Sequence, residues 1–83
     1  MQQEEILTQI RDFIASEFPM PGVELTHTTN LLEEWFVDSL GIVETVMFLE
    51  RQFGIEVQRA DINGTNFRDV ASLAALVQGR LPG

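Results

Sequence analysis

The chain has 83 residues, 45% of them hydrophobic, with 13 acidic side chains against five basic ones, all arginine, and no cysteine. That length supports one domain with a modest core and leaves no room for separate substrate and cofactor lobes, which argues against a free-standing enzyme. A formal charge of −8 repels nucleic acid, and the missing cysteine removes disulfides, thiolate metal sites and cysteine nucleophiles together.

The first residues lack the basic-then-apolar order of a signal peptide, and no stretch approaches the roughly 18 to 20 apolar residues of a membrane span. The expectation is a cytoplasmic monomer with no membrane span. Ile6, Leu7, Ile10, Phe13, Ile14 and Phe18 recur at helical spacing, with Glu4, Glu5 and Asp12 near the start, until Pro19-Met20-Pro21-Gly22 stops the pattern. This predicts a first amphipathic helix. Residues 19 to about 37 follow as a long connection, with Val23, Leu25, Leu31 and Leu32 as the expected plugs that fold it onto the core; loops of this length usually carry function.

A second helix is predicted from about Ser39 to Phe53, closed by Gly54 at C′ with Ile55 as the apolar contact that often accompanies such a cap. Beyond it, at most one helical turn fits around Ala60 to Ile62. Val70, Leu73, Leu76 and Val77 then define a last helix, stopped by Gly79. Residues 1–83 therefore read as one all-α domain, a small four-helix bundle of three main helices and a short one with a long first loop.

The second helix carries more apolar residues than one core stripe requires. Ile42, Val46, Leu49 and Phe53 supply that stripe, and Leu40, Val43 and Met47 form another, bordered by Glu44 and Glu50. The extra stripe is either a wider core contact or a docking surface on which apolar contacts hold and acids steer. Glu33, Glu34, Asp38, Glu44 and Glu50 all lie between residues 33 and 50 with no basic residue among them. A partner docking there should be basic, unless the acids serve only solubility.

Directly ahead of this helix stands Val37-Asp38-Ser39-Leu40. Asp38 is a good N-cap on elementary grounds, because its side chain can accept backbone N–H bonds. The run FVDSLGIVETVMFLERQFGIEV (residues 36 to 57) resembles the second helix of acyl carrier proteins and their peptidyl and D-alanyl relatives, with Asp-Ser-Leu before an apolar helix and an acid, Glu44, five residues after the serine. The resemblance covers the whole domain in length, acidity, long first loop and short third helix. It implies an acyl-carrier-like fold in which Ser39 is the attachment site of a 4′-phosphopantetheine arm, transferred from coenzyme A by a phosphopantetheinyl transferase that also recognises Asp38. The arm's thiol would carry acyl groups as thioesters, so the chain needs no thiol of its own.

The same resemblance implies an acyl- or aminoacyl-activating ligase and acyl-processing enzymes as partners, meeting Leu40, Val43, Glu44, Met47 and Glu50 through basic docking patches. Trp35, Phe36, Gly41, Arg51 and Gln52 depart from the housekeeping fatty-acid pattern and lie closer to specialised or D-alanyl-type carriers. Trp35 either plugs the core or shapes which group the arm accepts. Two alternatives stand beside the acyl carrier: a D-alanyl or other aminoacyl carrier, and an unmodified helical adaptor. A hydrolase built on Ser39 and His27 is disfavoured, because no G-x-S-x-G elbow surrounds the serine. Glu33 and Glu34 are adjacent and point apart, and one histidine without cysteine makes a transition-metal site improbable.

Overall fold

A computed structural model describes residues 2–34 and 39–81. Its elements are helical: α1 (Gln3–Glu17), the four-residue α2 (Leu31–Glu34), α3 (Ser39–Phe53), a 3₁₀ turn (Arg59–Asp61) and α4 (Val70–Arg80). No strand occurs among the described residues.

Spacing explains α1. Ile6, Ile10 and Ile14, each four residues on from the last, are fully buried, and the helix packs along α4, which buries Val70, Leu73, Ala74 and Val77. Glu4 and Glu5 lie in the first turn, where the positive helix end favours acids. The Met20–Val23 turn then reverses the chain: Pro21 presets its own φ, Gly22 takes φ +82°, and the Val23 N–H bonds the Met20 carbonyl. This is the type II pattern, with glycine where φ must be positive.

The long connection is held to the start of α4 by backbone bonds. The Leu31 N–H donates to the Arg68 carbonyl at 2.6 Å, and the Ala71 N–H donates to the His27 carbonyl at 2.9 Å. Leu31 is thereby buried, and Leu25 and Leu32 pack against the core at partial burial, as expected. Val23 departs from expectation, since it is exposed beside the equally exposed Met20. The turn that reverses the chain leaves it outside the seam. Helical spacing does not predict α2, which Asn30 caps through a bond from the Glu33 N–H to its side-chain oxygen.

α3 has the predicted bounds. Gly54 adopts φ +66° and its N–H bonds the Glu50 carbonyl, and Ile55 is buried directly after it. The left-handed cap is therefore as expected. The predicted turn near Ala60 is the 3₁₀ turn, which Gln58 and Asp61 close reciprocally as a capping box.

α4 corrects one boundary, because Gly79 lies inside the helix and does not end it. Arg80 extends the last turn by pairing with Asp61, and the Leu81 N–H completes it on the Val77 carbonyl. Gly79 has no positive φ, so nothing there calls for a C′ glycine. At the other end Asp69 is the N-cap, accepting the Ser72 N–H at 2.7 Å while itself buried. Burial alone would raise the Asp69 carboxyl, but hydrogen bonds from Ser72 and Arg68, with the Arg68 charge, outweigh it and hold the carboxyl below its ordinary value.

A carboxyl lowered on folding stabilises the fold above its unfolded value near 3.8, and that contribution is lost as pH falls through the folded value. Asp69→Ala should cost about 0.5 to 2 kcal/mol in urea melts at pH 7. The gap to the parent should narrow as pH falls through the folded value, because the cap is then protonated in both states. A gap that stays constant with pH would mean that the Asp69 charge contributes nothing.

Candidate functional site

The site forms on α3 because this helix has more apolar surface than the core can take. Leu49 and Phe53 are buried, Ile42 and Val46 pack against the core at partial burial, and Thr45 is buried with its hydroxyl donating to the Gly41 carbonyl at 2.8 Å. The other stripe faces outward: Leu40, Val43 and Met47 are 61%, 51% and 54% exposed. At about 100° per residue the two stripes centre roughly 120° apart around the helix, and only the first faces the core. The wider-core alternative is therefore excluded for these three.

Two recesses border the outward stripe. On one side, Ile42, Val43, Val46 and Met47 join the exposed Ile62, just beyond the 3₁₀ turn, in an apolar groove of about 420 Å³. On the other, Phe13 and Glu17 of α1 join Glu44, Met47 and Arg51 around a recess of about 140 Å³. The α1–α3 seam beside it is set by Phe13 stacked on Phe48 with centroids 4.0 Å apart and an 11° interplanar angle, and by the Gln52 amide donating to the Gln9 carbonyl oxygen at 2.8 Å. Phe48 escaped the sequence reading. The signal was its register with neither α3 stripe, which left it free to meet α1.

Ser39 opens α3, and Leu40, Val43, Glu44 and Met47 share the face that follows it. Asp38, with Trp35, lies outside the described residues. Glu50, expected among the partner-facing residues, also has a part in the fold. Its carboxylate accepts the Val57 N–H at 3.0 Å, so it fastens the segment after α3 to the last turn of that helix. Among the described residues no group of three or more His, Cys, Asp or Glu side chains could hold a metal ion, and no helix is long and apolar enough to cross a membrane.

The geometry suits a prosthetic arm. A helix start favours a phosphodiester through its first N–H groups and positive dipole end, and the exposed Leu40 and the apolar groove lie along the turns that follow.

The family model described as "Phosphopantetheine attachment site" matches residues 8–77. The acyl carrier protein of Lactobacillus acidophilus is 37% identical over 57 residues, which cover 69% of this chain and 71% of that protein. The acyl carrier protein of Thermotoga maritima is 30% identical over 60 residues, 72% of this chain and 74% of its own. Among solved structures, a chain from the crystal structure of an FAD-dependent dehydrogenase superposes with a TM-score of 0.73 at 32% identity, covering 82% of this chain and 97% of that one. A chain from the Bradyrhizobium japonicum glycine:[carrier protein] ligase complexed with glycylated carrier protein gives a TM-score of 0.66 at 16% identity, covering 89% and 96%, and shares the fold.

These matches define a phosphopantetheine-dependent carrier domain, non-catalytic and holding its 4′-phosphopantetheine covalently. The chain belongs to the acyl carrier protein family.

Truncating the outward stripe should leave stability nearly intact, because Val43→Ala and Met47→Ala remove half-exposed atoms. Leu49→Ala should cost roughly 2 to 5 kcal/mol as a core truncation. Urea melts give the order, and a Met47→Ala loss equal to that of Leu49→Ala would assign the stripe to the core. In the same melts Glu50→Lys should lose about 1 to 3 kcal/mol by orphaning the Val57 N–H, whereas Glu44→Lys should match the parent.

Proposed function

We propose that Ser39 carries the arm and that the chain shuttles acyl groups as thioesters between partner enzymes in the cytoplasm, in a specialised lipid or secondary-metabolite pathway. The observation that carries this reading is the juxtaposition of a serine at a helix start with an outward apolar stripe, Leu40, Val43 and Met47, that the core does not use. Attachment is a phosphoryl transfer. The Ser39 hydroxyl oxygen bonds to the phosphorus that bears the pantetheine, the bond from that phosphorus to the nucleotide's phosphate breaks, and adenosine 3′,5′-bisphosphate leaves with the electron pair. The hydroxyl proton passes to a base of the transferase.

The cargo's thioester sulfur then comes from the arm, consistent with a chain that has no cysteine. The apolar groove of Ile42, Val43, Val46, Met47 and Ile62 offers cover for an aliphatic cargo close to the helix start. Leu40, Val43 and Met47 give partners an apolar footing, and Glu44 draws basic patches on the transferase, the activating ligase and the acyl-processing enzymes.

The parent, incubated with coenzyme A and a broad-specificity phosphopantetheinyl transferase, should gain the mass of one arm. Ser39→Ala should gain none, and Ser16→Ala and Ser72→Ala, covering the other two serines of the chain, should be modified like the parent. Modification of Ser39→Ala would sink the assignment, and an unmodified parent would leave the adaptor reading. Glu44→Lys should slow this loading mainly through association, because opposite charges speed encounter. In about 1 M salt, where the screening length falls to about 3 Å, the parent should lose most of that advantage. Loading rates across a salt series measure both effects.

A further inference from the structure

Building on the carrier reading of α3, we propose that the docking face continues across Met47 onto α1 and selects a partner of mixed charge. One apolar side chain of the partner occupies the recess formed by Phe13, Glu17, Glu44, Met47 and Arg51. A partner base meets Glu44 and Glu17, and a partner carboxylate meets Arg51.

The recess is about 140 Å³, room for one side chain, with Phe13 and Met47 as its apolar lining. It is continuous with the outward stripe through Met47 and Glu44, so a partner seated on Val43 and Met47 reaches it without moving. Arg51 sits one turn beyond Met47 on the same face and is exposed. Three of the five arginines are spent on internal pairs, Arg11 with Asp12, Arg68 with Asp69 and Arg80 with Asp61. Arg51 forms no ion pair among the described residues, although Glu17 and Glu44 border the same recess.

The stretch from residue 33 to 50 contains acids and no base, and Arg51 follows immediately. The charge along α3 therefore changes sign at the end farther from Ser39. A uniformly basic partner gains at Glu44 and is opposed at Arg51, whereas a partner with a base nearer the start of α3 and a carboxylate nearer its end gains at both. That polarity fixes which way round the partner sits, and so on which side of it the arm emerges.

The test uses two synthetic helical peptides that differ at one position. Both carry a leucine anchor with lysine on one flank; the first has glutamate on the other flank and the second has glutamine. Each is titrated into the parent and into Arg51→Gln, with amide shifts read by NMR. Arg51→Gln should weaken the glutamate peptide about three- to fivefold, the range of an exposed ion pair, and leave the glutamine peptide unchanged. Shifts should centre on Phe13, Glu17, Met47 and Arg51. Equal weakening of both peptides, binding of neither, or shifts centred elsewhere would each overturn the proposal. Modification of Ser39 in the transferase assay reads the carrier role independently: a modified parent without peptide coupling keeps that role and sinks this one, and an unmodified parent sinks the role itself.

Discussion

The fold depends on how the two ends of α4 are tied. At the N-terminal end, amides that a helix cannot satisfy internally are taken up by the Asp69 side chain and by the His27 carbonyl of the long connection. In return the Arg68 carbonyl accepts the Leu31 N–H, so one short seam closes the helix and fastens the loop. At the C-terminal end Arg80 reaches Asp61, which also accepts the Gln58 N–H and so holds the 3₁₀ turn in place. α1 packs along α4. With both ends and one side of α4 engaged, the loop ahead of α3 and the segment after it are drawn to the same body, and α3 is left with its far side open.

This arrangement accounts for a helix with two apolar stripes in a chain of this size. The buried stripe meets a core already filled by Ile6, Ile10, Ile14, Leu73 and Val77, and among the described residues no further layer covers Leu40, Val43 and Met47. Exposing three large apolar side chains together is costly in solubility unless something else covers them part of the time. The helix is nonetheless held firmly. Glu50 fastens the chain beyond its end, Gln52 and Phe48 join it to α1, and among the described residues no buried side-chain nitrogen or oxygen lacks a partner. An open face on a fixed helix is a surface shaped before any partner arrives, which lowers the ordering cost of binding.

Periodicity made much of this legible. The bounds of α3, its left-handed glycine cap, the buried and outward stripes and the turn near Ala60 follow from spacing and turn chemistry, and the family follows from Asp-Ser-Leu with the helix behind it. Tertiary partners decide two of the departures, and local turn and cap chemistry decides the others. Gly79 reads as a helix stop until Arg80 finds Asp61, nineteen residues before it. Glu50 reads as a surface acid until the Val57 N–H comes to rest on it. Val23 reads as a plug like Leu25, but the turn at Gly22 sets only one of the two against the core. Asn30 was a capping residue in plain view, passed over because the short α2 it starts lacks the length for periodicity to register.

Charge and apolar surface on α3 are best understood together. An apolar stripe alone would pair with its own copy, since a two-fold contact sets like patch against like patch. Here such a contact would also bring Glu44 and Glu17 of two copies towards one interface, where acids taken from water must find a counter-charge, and Arg51 borders the same recess. The acids are complementary to a base, and Arg51 beside them to a carboxylate. A chain of formal charge −8 thus sets its three most exposed large apolar side chains among the described residues on one helix face, flanked by charge of both signs.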